Sequence, residues 1–391
     1  MPMQVITAAW LYSPLERVER PLVFVEDGVI AEVSSFAARE LPSGASVADL
    51  GDVALVPGFI DIHIHGGAGH DVMEASSEAL PAVEQLLYRH GVTGYLPTTV
   101  TAPVDQTLAA LERLADAIDA AHAGGTAGRR LRARPLGIHL EGPFISHRRR
   151  GVHPPGDILP PTLETFERFW LAARGHIKVM TVAPELEGAR VLIAEAARRG
   201  VCVSMGHSDA DLEAAQAGVA AGARHATHTF NAMRPIEHRD PGILGEILTD
   251  EGLTAEIIAD GVHVNPLVVK LFLRAKGAES AVLVTDATAA TGMPNGHYRL
   301  GSLEVEVKDS RCTADGKLAG SVLTMDRAVR NVMRFANWNL QKAVRLATLN
   351  PARTAGLTAT AGTIAAGSRA DMLALSPQGD LLETIVGGQL S

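Results

Sequence analysis

The chain has 391 residues, of which 47% are hydrophobic and 20% charged, and this composition argues against a disordered protein. Asp and Glu number 44 against 35 Lys and Arg, giving a net charge of −9 that disfavours nucleic acid as a partner. The two cysteines, Cys202 and Cys312, argue against a disulfide scaffold and favour a reducing compartment. We expect a cytoplasmic protein, because the first residues lack the basic start of a signal peptide and no run of 18 apolar residues predicts a membrane span.

Both ends of the chain are predicted to form short strands. Residues 1–56 contain apolar runs separated by turns, including the hairpin signal Glu26-Asp27-Gly28. Residues 351–391 return to short strands and turns after a long central region. We therefore predict a small β-sandwich domain that is built from both termini.

The central region, residues 57–350, alternates apolar strands with amphipathic helices. Eight such units predict an α/β fold, a (β/α)8 TIM-type barrel, whereas a doubly wound open sheet would seldom contain so many. Residues 291–320 interrupt the last unit, and their alternating pattern predicts one or two inserted hairpins. The predicted barrel strands are FIDIHIH, TGYLPTT, RPLGIHLEG, IKVMTVAPE, VCVSMGHS, HATHTFN, LTAEIIADG and AVLVTDA.

The first of these strands ends in a pair of histidines, His63 and His65. Residues i and i+2 of a strand share a face, so both rings would point into the barrel mouth. Imidazole nitrogens there could hold one divalent ion. Two hydrogen-bonded structural histidines are the alternative, but polar rings inside an apolar strand need partners.

An acid, Glu141, ends the third strand in the motif HLEGPF. A carboxylate at such a position is costly unless it meets a cation, and its two oxygens could bridge two metals. An exposed acid at the strand end is the alternative. His139 shares the face of Glu141, and we expect it to be packed in the core rather than to bind metal.

Three further strands end in residues of the same kind. His207 and His228 end the fifth and sixth strands, and Asp286 ends the eighth. Asp286 could bind metal and move a proton, or it could cap the next helix. Because barrel enzymes build their sites at the carboxyl ends of the strands, these motifs together predict one metal site.

This arrangement resembles the amidohydrolase superfamily. The sequences HLEGPF, GHSDA, HTFNAM and LAGSVLTMD resemble one family within it, the deacetylases of N-acetylated amino-sugar phosphates. Many superfamily members carry a carboxylated lysine on strand four, but Lys178 lies near the start of that strand and Glu141 takes the lysine's place. The resemblance covers nearly the whole chain and implies hydrolysis of N-acetylglucosamine 6-phosphate to glucosamine 6-phosphate and acetate.

The resemblance also implies roles for individual residues. Glu141, His207 and His228 would hold a divalent metal, and Asp286 would act as general acid and base. The histidine pair of strand one would hold a second ion, so one or two ions are expected per subunit. Zinc is favoured, with iron, cobalt, manganese and nickel as alternatives.

Contacts to the sugar and phosphate are implied for a larger set of residues. In this family an arginine reaches the neighbouring site across a dimer interface, so a homodimer is expected in which Arg239 has that role. The implied substrate-binding residues are His153, Asn231, Ala232, Arg239, His263, Leu318, Ala319 and Gly320.

Two other functions stay open on the sequence. Another amidohydrolase, such as a cyclic amidase or a deaminase, would share fold and metal but would not need Arg239 and His263 for a phosphate. A scaffold protein with a structural metal would belong to a different class. Asp286 argues against the scaffold, because structural zinc sites are usually closed by their ligands.

Overall fold

The computed structural model describes residues 3–123, 131–301, 303–309 and 311–390. Its N-terminal segment consists of short strands, as the turn signals predict. These strands are β1 (Gln4–Thr7), β2 (Trp10–Tyr12), β3 (Arg17–Glu19), β4 (Pro21–Glu26), β5 (Val29–Ser35), β6 (Ser46–Asp49) and β7 (Ala54–Pro57).

The central region then alternates strands and helices. Two short 3-10 turns, His147–Arg149 and Pro155–Asp157, lie in the loop after the third barrel strand. The elements are β8 (Phe59–Ile64), β9 (Gly66–Gly67), β10 (His70–Asp71), α1 (Ala79–Arg89), β11 (Val92–Thr99), α2 (Val104–Ala123), β12 (Arg134–Pro135), β13 (Ile138–Glu141), α3 (Leu163–Ala172), β14 (Ile177–Val182), α4 (Ala189–Arg198), β15 (Cys202–Met205), α5 (Leu212–Ala221), β16 (His225–Ala226), α6 (Gly242–Thr249), β17 (Thr254–Ile258), α7 (Pro266–Ser280) and β18 (Ala281–Val284).

An inserted antiparallel sheet and the C-terminal elements follow. The predicted hairpins are present as four strands whose apolar residues, such as Val305 and Val307, face inward while the alternate acids are exposed. The elements are β19 (Gly296–Leu300), β20 (Leu303–Lys308), β21 (Arg311–Ala314), β22 (Lys317–Leu318), α8 (Met325–Ala336), α9 (Leu340–Arg345), α10 (Leu349–Thr354), β23 (Met372–Leu375) and β24 (Leu381–Ile385).

Eight parallel strands form the predicted barrel. Strand β8 pairs with β11, and the sheet continues through β13, β14, β15, β16 and β17 to β18. A parallel bridge between Ile64 and Ala287 joins the last strand to the first, and the Asp286 N–H donates to the His63 carbonyl at 2.9 Å. The strand ends that carry the predicted site therefore surround one opening.

The strands are apolar on both faces because helices cover the barrel from outside. All four residues of β18 are buried, for example. Several helices begin at a residue whose side chain accepts a backbone N–H, as Thr162, Asp211 and Asn265 do. Within the described ranges, no helix is long and apolar enough to cross a membrane.

The two ends of the chain form a β-sandwich beside the barrel, as predicted. One sheet has the order β5-β4-β1-β6, and the other has the order β24-β23-β7-β2-β3. A buried apolar cluster with residues from both sheets includes Ile6, Val23, Leu11, Leu55, Met372 and Ile385. The residue limits of the predicted domains, 1–56, 57–350 and 351–391, stay a prediction.

Candidate active site

A cavity of about 240 Å³ lies at the carboxyl ends of the barrel strands. The insert supplies part of its wall, so barrel and insert enclose the site together. The predicted site residues that line it are His65, Glu141, His153, His207, His228, Asn231, Ala232, His263, Asp286, Leu318 and Gly320.

Three predicted residues lie outside that lining. His63 is fully buried directly beneath the cavity and contacts Glu141 and Asp286. Ala319 is buried in the apolar cluster of the insert, beside two cavity residues. Arg239 is exposed on the loop that follows β16, away from the cavity of its own chain.

The Glu141 carboxylate lies at the centre of the cluster. Its Oε1 is 3.2 Å from His207 Nε2, 3.1 Å from His228 Nε2 and 3.4 Å from His63 Nε2. Its Oε2 is 3.3 Å from His65 Nε2. Each oxygen therefore has its own set of imidazole nitrogens, an arrangement in which one carboxylate can serve two neighbouring ions.

In three of the histidines, the contacts of Nδ1 show where a ring proton lies. His65 Nδ1 lies 3.0 Å from the Thr98 carbonyl, and His207 Nδ1 lies 2.9 Å from the Arg149 carbonyl. His63 Nδ1 lies 2.9 Å from a carboxylate oxygen. Since these oxygens only accept, Nδ1 carries a proton in each ring and Nε2 is the nitrogen that faces the cluster, as a metal ligand requires.

His153 adopts the opposite tautomer. Its Nδ1 accepts the backbone N–H of Thr101 at 3.2 Å and lies 2.7 Å from the Thr101 hydroxyl. When neutral, the ring must therefore carry its proton on Nε2, which lies 3.6 Å from Glu141 Oε2. His153 thus offers the cavity a hydrogen-bond donor, although its position alone would also allow it to bind an ion.

Both carboxyl groups of the cluster are ionised at neutral pH. Burial raises the pKa of Glu141, but the charge of His63 and hydrogen bonds from neighbouring histidines outweigh it and hold that pKa well below its usual range. Burial also raises the pKa of Asp286, and the hydrogen bond from His65 more than offsets it, leaving the pKa lowered.

The histidines divide into two groups. Burial lowers the pKa of His207 to about 4, so this ring is neutral. Burial would also lower the pKa of His65, but hydrogen bonds to Asp286 and Glu141 raise it to about 10. Positive charge is thus stabilised between the two carboxylates, where a divalent cation can replace the proton.

The donor set fits one or two divalent ions. Four groups of ligand atoms each lie within 4.8 Å of one another, each with histidine nitrogen and carboxylate oxygen, and three of the groups consist of predicted site residues. His63 Nε2 and His228 Nδ1 are buried and have no hydrogen-bond partner among the described residues. The three groups are His63–Glu141–His228, His63–His65–Asp286 and Glu141–His153–His207.

Three residues of the cluster around Glu141 adopt left-handed backbone conformations. The φ angles are +46° at His207, +25° at His228 and +49° at Asp286. Such conformations cost about 1–3 kcal/mol each for a residue other than glycine and are concentrated at functional sites. Here they turn the chain at the strand ends so that the side chains converge on Glu141.

Another part of the cavity lining carries further polar groups. His263 Nδ1 bonds Asp260 Oδ2 at 2.7 Å, so its Nε2 is free to face a ligand. Burial lowers the pKa of His263, but the bond to Asp260 outweighs it, and the net shift is upward. Asn231 and Ala232 line the cavity beside it, on the loop after β16.

Arg239 lies on the same loop as these residues and is exposed to solvent. The acid beside it, Asp240, pairs with Arg234, and the Arg239 guanidinium has no ion pair within the described part of the chain. Asp240 therefore does not form an ion pair with Arg239. An ion pair within the loop would have been a purely structural role for this arginine.

Some residues of the site were not predicted from the sequence. Thr101 sets the tautomer of His153, and Asp260 anchors His263. Asp61 lies beneath the site, where burial raises its pKa to about 7. Glu256 lies on β17 and bonds His63. The sequence feature that could have indicated it is an acid within the apolar run LTAEIIADG.

Comparison with protein families agrees with this geometry. The model of the amidohydrolase family matches residues 54–390. The match includes every residue of the cluster, the barrel and the C-terminal strands, and it begins at the last strand of the N-terminal segment, β7. The chain therefore belongs to the amidohydrolase family.

Comparison with individual proteins points to one group within this family. An N-acetylglucosamine-6-phosphate deacetylase from Bacillus subtilis is 36% identical over 96% of this chain and 94% of its own length. An N-acetylgalactosamine-6-phosphate deacetylase from Escherichia coli O157:H7 is also 36% identical, over 94% of this chain and 93% of its own. A solved structure of the Mycobacterium smegmatis N-acetyl-D-glucosamine-6-phosphate deacetylase, in complex with N-acetyl-D-glucosamine-6-phosphate, matches with a TM-score of 0.91 and 33% identity, covering 100% of this chain and 99% of that one. These relatives confirm the predicted resemblance to the amino-sugar-phosphate deacetylases.

Proposed function

We propose that the chain hydrolyses the acetamide of N-acetylglucosamine 6-phosphate, giving glucosamine 6-phosphate and acetate. The observation that carries this proposal is the Glu141 carboxylate, which lies within 3.4 Å of four imidazole nitrogens at the barrel mouth. The likeness to deacetylases over nearly the whole chain supports the substrate class.

The cofactor in this proposal is divalent metal. Glu141, His207 and His228 would hold one ion, and His63 with His65 would hold a second. Zinc is proposed because imidazole nitrogen and carboxylate oxygen are ligands that suit it. When bound, the metal would act as a Lewis acid that polarises the acetyl oxygen and makes water a nucleophile near neutral pH.

Asp286 is proposed to move the proton. Its carboxylate is ionised in the resting site and its Oδ1 lies 3.2 Å from His65 Nε2, so it can accept a proton from the attacking water beside the ion ligands. The carbon–nitrogen bond breaks when that proton reaches the sugar nitrogen, because an unprotonated amine leaves poorly. One carboxylate therefore serves first as base and then as acid.

His153 is proposed to stabilise the reacting acyl group. Its Nε2–H faces the cavity because Thr101 occupies Nδ1, so it can donate to the acetyl oxygen as negative charge develops there. The substrate's other end would contact Asn231, Ala232 and His263. Leu318 and Gly320 of the insert, with Ala319 between them, would close the cavity over the sugar.

A homodimer and a cytoplasmic location are parts of the same proposal. The phosphate would need a cation, and Arg239, which is exposed and does not line the cavity of its own chain, would serve the neighbouring subunit. The location is supported by Cys202 and Cys312, which are both free thiols.

The test is a substrate panel with acetate and ammonia measured in parallel. N-acetylglucosamine 6-phosphate, its galactosamine epimer and unphosphorylated N-acetylglucosamine are each given to the metal-loaded protein. We expect acetate from the first sugar far in excess of that from the third, with no free ammonia. The epimer is included because the relative named N-acetylgalactosamine-6-phosphate deacetylase is also 36% identical to this chain. Ammonia release, or no preference for phosphate, would contradict the proposal.

A further inference from the structure

Glu256 is an acid inside the barrel that no step of the proposed reaction uses. It lies on β17 between the apolar residues Ala255 and Ile257, and its side chain is fully buried. An ionised carboxylate in the interior costs several kcal/mol unless donors surround it. Such a group is stable there only if neighbouring residues satisfy both of its oxygens.

Three donors do so. Glu256 Oε2 accepts from His63 Nδ1 at 2.9 Å and from the backbone N–H of His228, also at 2.9 Å. Its Oε1 lies 3.1 Å from His225 Nε2. The His228 N–H can only donate, so Oε2 is an acceptor, and both carboxylate oxygens face nitrogen atoms.

Glu256 is therefore not itself placed to bind an ion, although it lies close to His63 and His139. Both of its oxygens already accept hydrogen bonds. His139 is also fully engaged, because Nδ1 lies 3.0 Å from the Ile62 carbonyl and Nε2 lies 2.8 Å from the Thr181 hydroxyl. This deeper layer is a hydrogen-bonded support beneath the site.

We infer that Glu256 is a positioning residue for the second ion: it holds His63 through Nδ1–H, so that Nε2 is the nitrogen left to face Glu141 and Asp286. Partners of this kind fix the ring and raise its basicity as a ligand. The same oxygen that holds His63 also holds the His228 backbone, so one carboxylate joins residues of both ion sites. The inference rests on the proposed metal-dependent function.

The test measures zinc affinity directly. Metal-depleted wild type, Glu256→Gln and Glu256→Leu are titrated with Zn²⁺ against a competing chelator, and His63→Ala identifies the second ion. We expect Glu256→Leu to reduce the affinity for the second ion by about 10- to 100-fold, the usual effect of losing a hydrogen-bond partner of a metal ligand. Glu256→Gln keeps an acceptor for His63 but loses the charge, so its loss should be smaller.

Asp326→Asn is the matched control, because Asp326 is also a buried acid bonded to a histidine, His90, at 3.1 Å and lies outside the site. It should leave both zinc affinities unchanged. Thermal melting will show whether Glu256→Leu folds. If it does not, the zinc affinity of Glu256→Gln alone tests the inference. Because Glu256 also accepts the His228 N–H, a smaller loss is expected at the first ion. An unchanged affinity for the second ion, or a loss at the first ion as large as that at the second, would overturn the inference. Wild type that binds no zinc and releases no acetate would instead overturn the proposed function.

Discussion

Asp286 Oδ1 lies 3.2 Å from His65 Nε2, and this contact holds the carboxylate at the edge of the cluster. The left-handed backbone at Asp286 turns the side chain toward the cavity rather than toward the next helix. The alternative role as a helix cap therefore does not describe it. A buried, ionised acid beside the ion ligands is placed to exchange a proton with substrate.

Replacement of Asp286 by Asn should reduce kcat by about 10²–10⁴-fold, the range for losing a general acid–base group. The side chain keeps its shape but cannot take or return a proton, so KM should change much less. Steady-state acetate release from N-acetylglucosamine 6-phosphate measures both constants. A variant with near-normal kcat would exclude Asp286 from proton transfer.

The metal ligands should separate into two groups. Glu141→Gln, His207→Ala and His228→Ala should each remove the tighter ion and abolish turnover, because each deletes a proposed ligand. His63→Ala and His65→Ala should remove only a second ion. Elemental analysis of the purified variants gives the ion count per chain.

Two results would contradict this division. Full metal content with normal turnover in Glu141→Gln, His207→Ala and His228→Ala would remove the first site. One ion per chain in fully active wild type would show that the strand-one pair is not needed for metal.

His153→Ala should separate a hydrogen-bond donor from a metal ligand. The variant loses the Nε2–H that faces the acyl oxygen, so kcat/KM should fall by about 10²–10³-fold, as for loss of one oxyanion donor. Its metal content should stay that of wild type, unlike that of His207→Ala. Loss of an ion from His153→Ala would make this residue a ligand instead.

The residues of the cluster could be predicted because each obeys a local rule. His63 and His65 follow the two-residue period of a strand, and Glu141 and Asp286 follow apolar runs where an acid is costly. The barrel fold followed from the same runs, and it places the strand ends around one opening.

Other relationships depend on pairings that a single sequence does not show. Glu256 and His63 are 193 positions apart, and only the order of strands in the closed barrel brings them together. The tautomer of His153 likewise depends on Thr101, 52 positions away. Arg239 differs again, since its proposed site belongs to another subunit.

Phosphate binding should depend on the protonation of His263. Its pKa is raised above the ordinary value of 6.5, so the ring stays charged to a higher pH than usual and loses its charge as pH rises through the raised pKa. KM for the phosphorylated sugar should therefore increase over that range. Asp260→Asn removes the bond that raises the pKa, so the increase should begin at lower pH.

Unphosphorylated N-acetylglucosamine is the control for this profile. Its KM should not follow the His263 titration, because it carries no anion to be attracted. An identical pH profile for both sugars, or no shift in Asp260→Asn, would show that His263 does not bind the phosphate.

Arg239→Ala should lower kcat/KM for the phosphorylated sugar and leave that for the unphosphorylated sugar unchanged. Loss of a charged hydrogen bond costs ~1.5–3 kcal/mol, which is about 10- to 100-fold in kcat/KM. Arg148→Ala is the control, because this arginine is also exposed near the mouth but already pairs with Asp209. It should leave both sugars unchanged, and equal losses for both sugars in Arg239→Ala would remove Arg239 from the phosphate site.

Mixed dimers test whether Arg239 acts across the interface. Subunits with Asp286→Asn keep Arg239, and subunits with Arg239→Ala keep Asp286. If the arginine serves its partner, half of the sites in each mixed dimer contain both groups, so random exchange should restore about a quarter of wild-type activity in a C2 dimer. If Arg239 acts within its own chain, no site regains both groups, and mixing would leave activity at the average of the two variants.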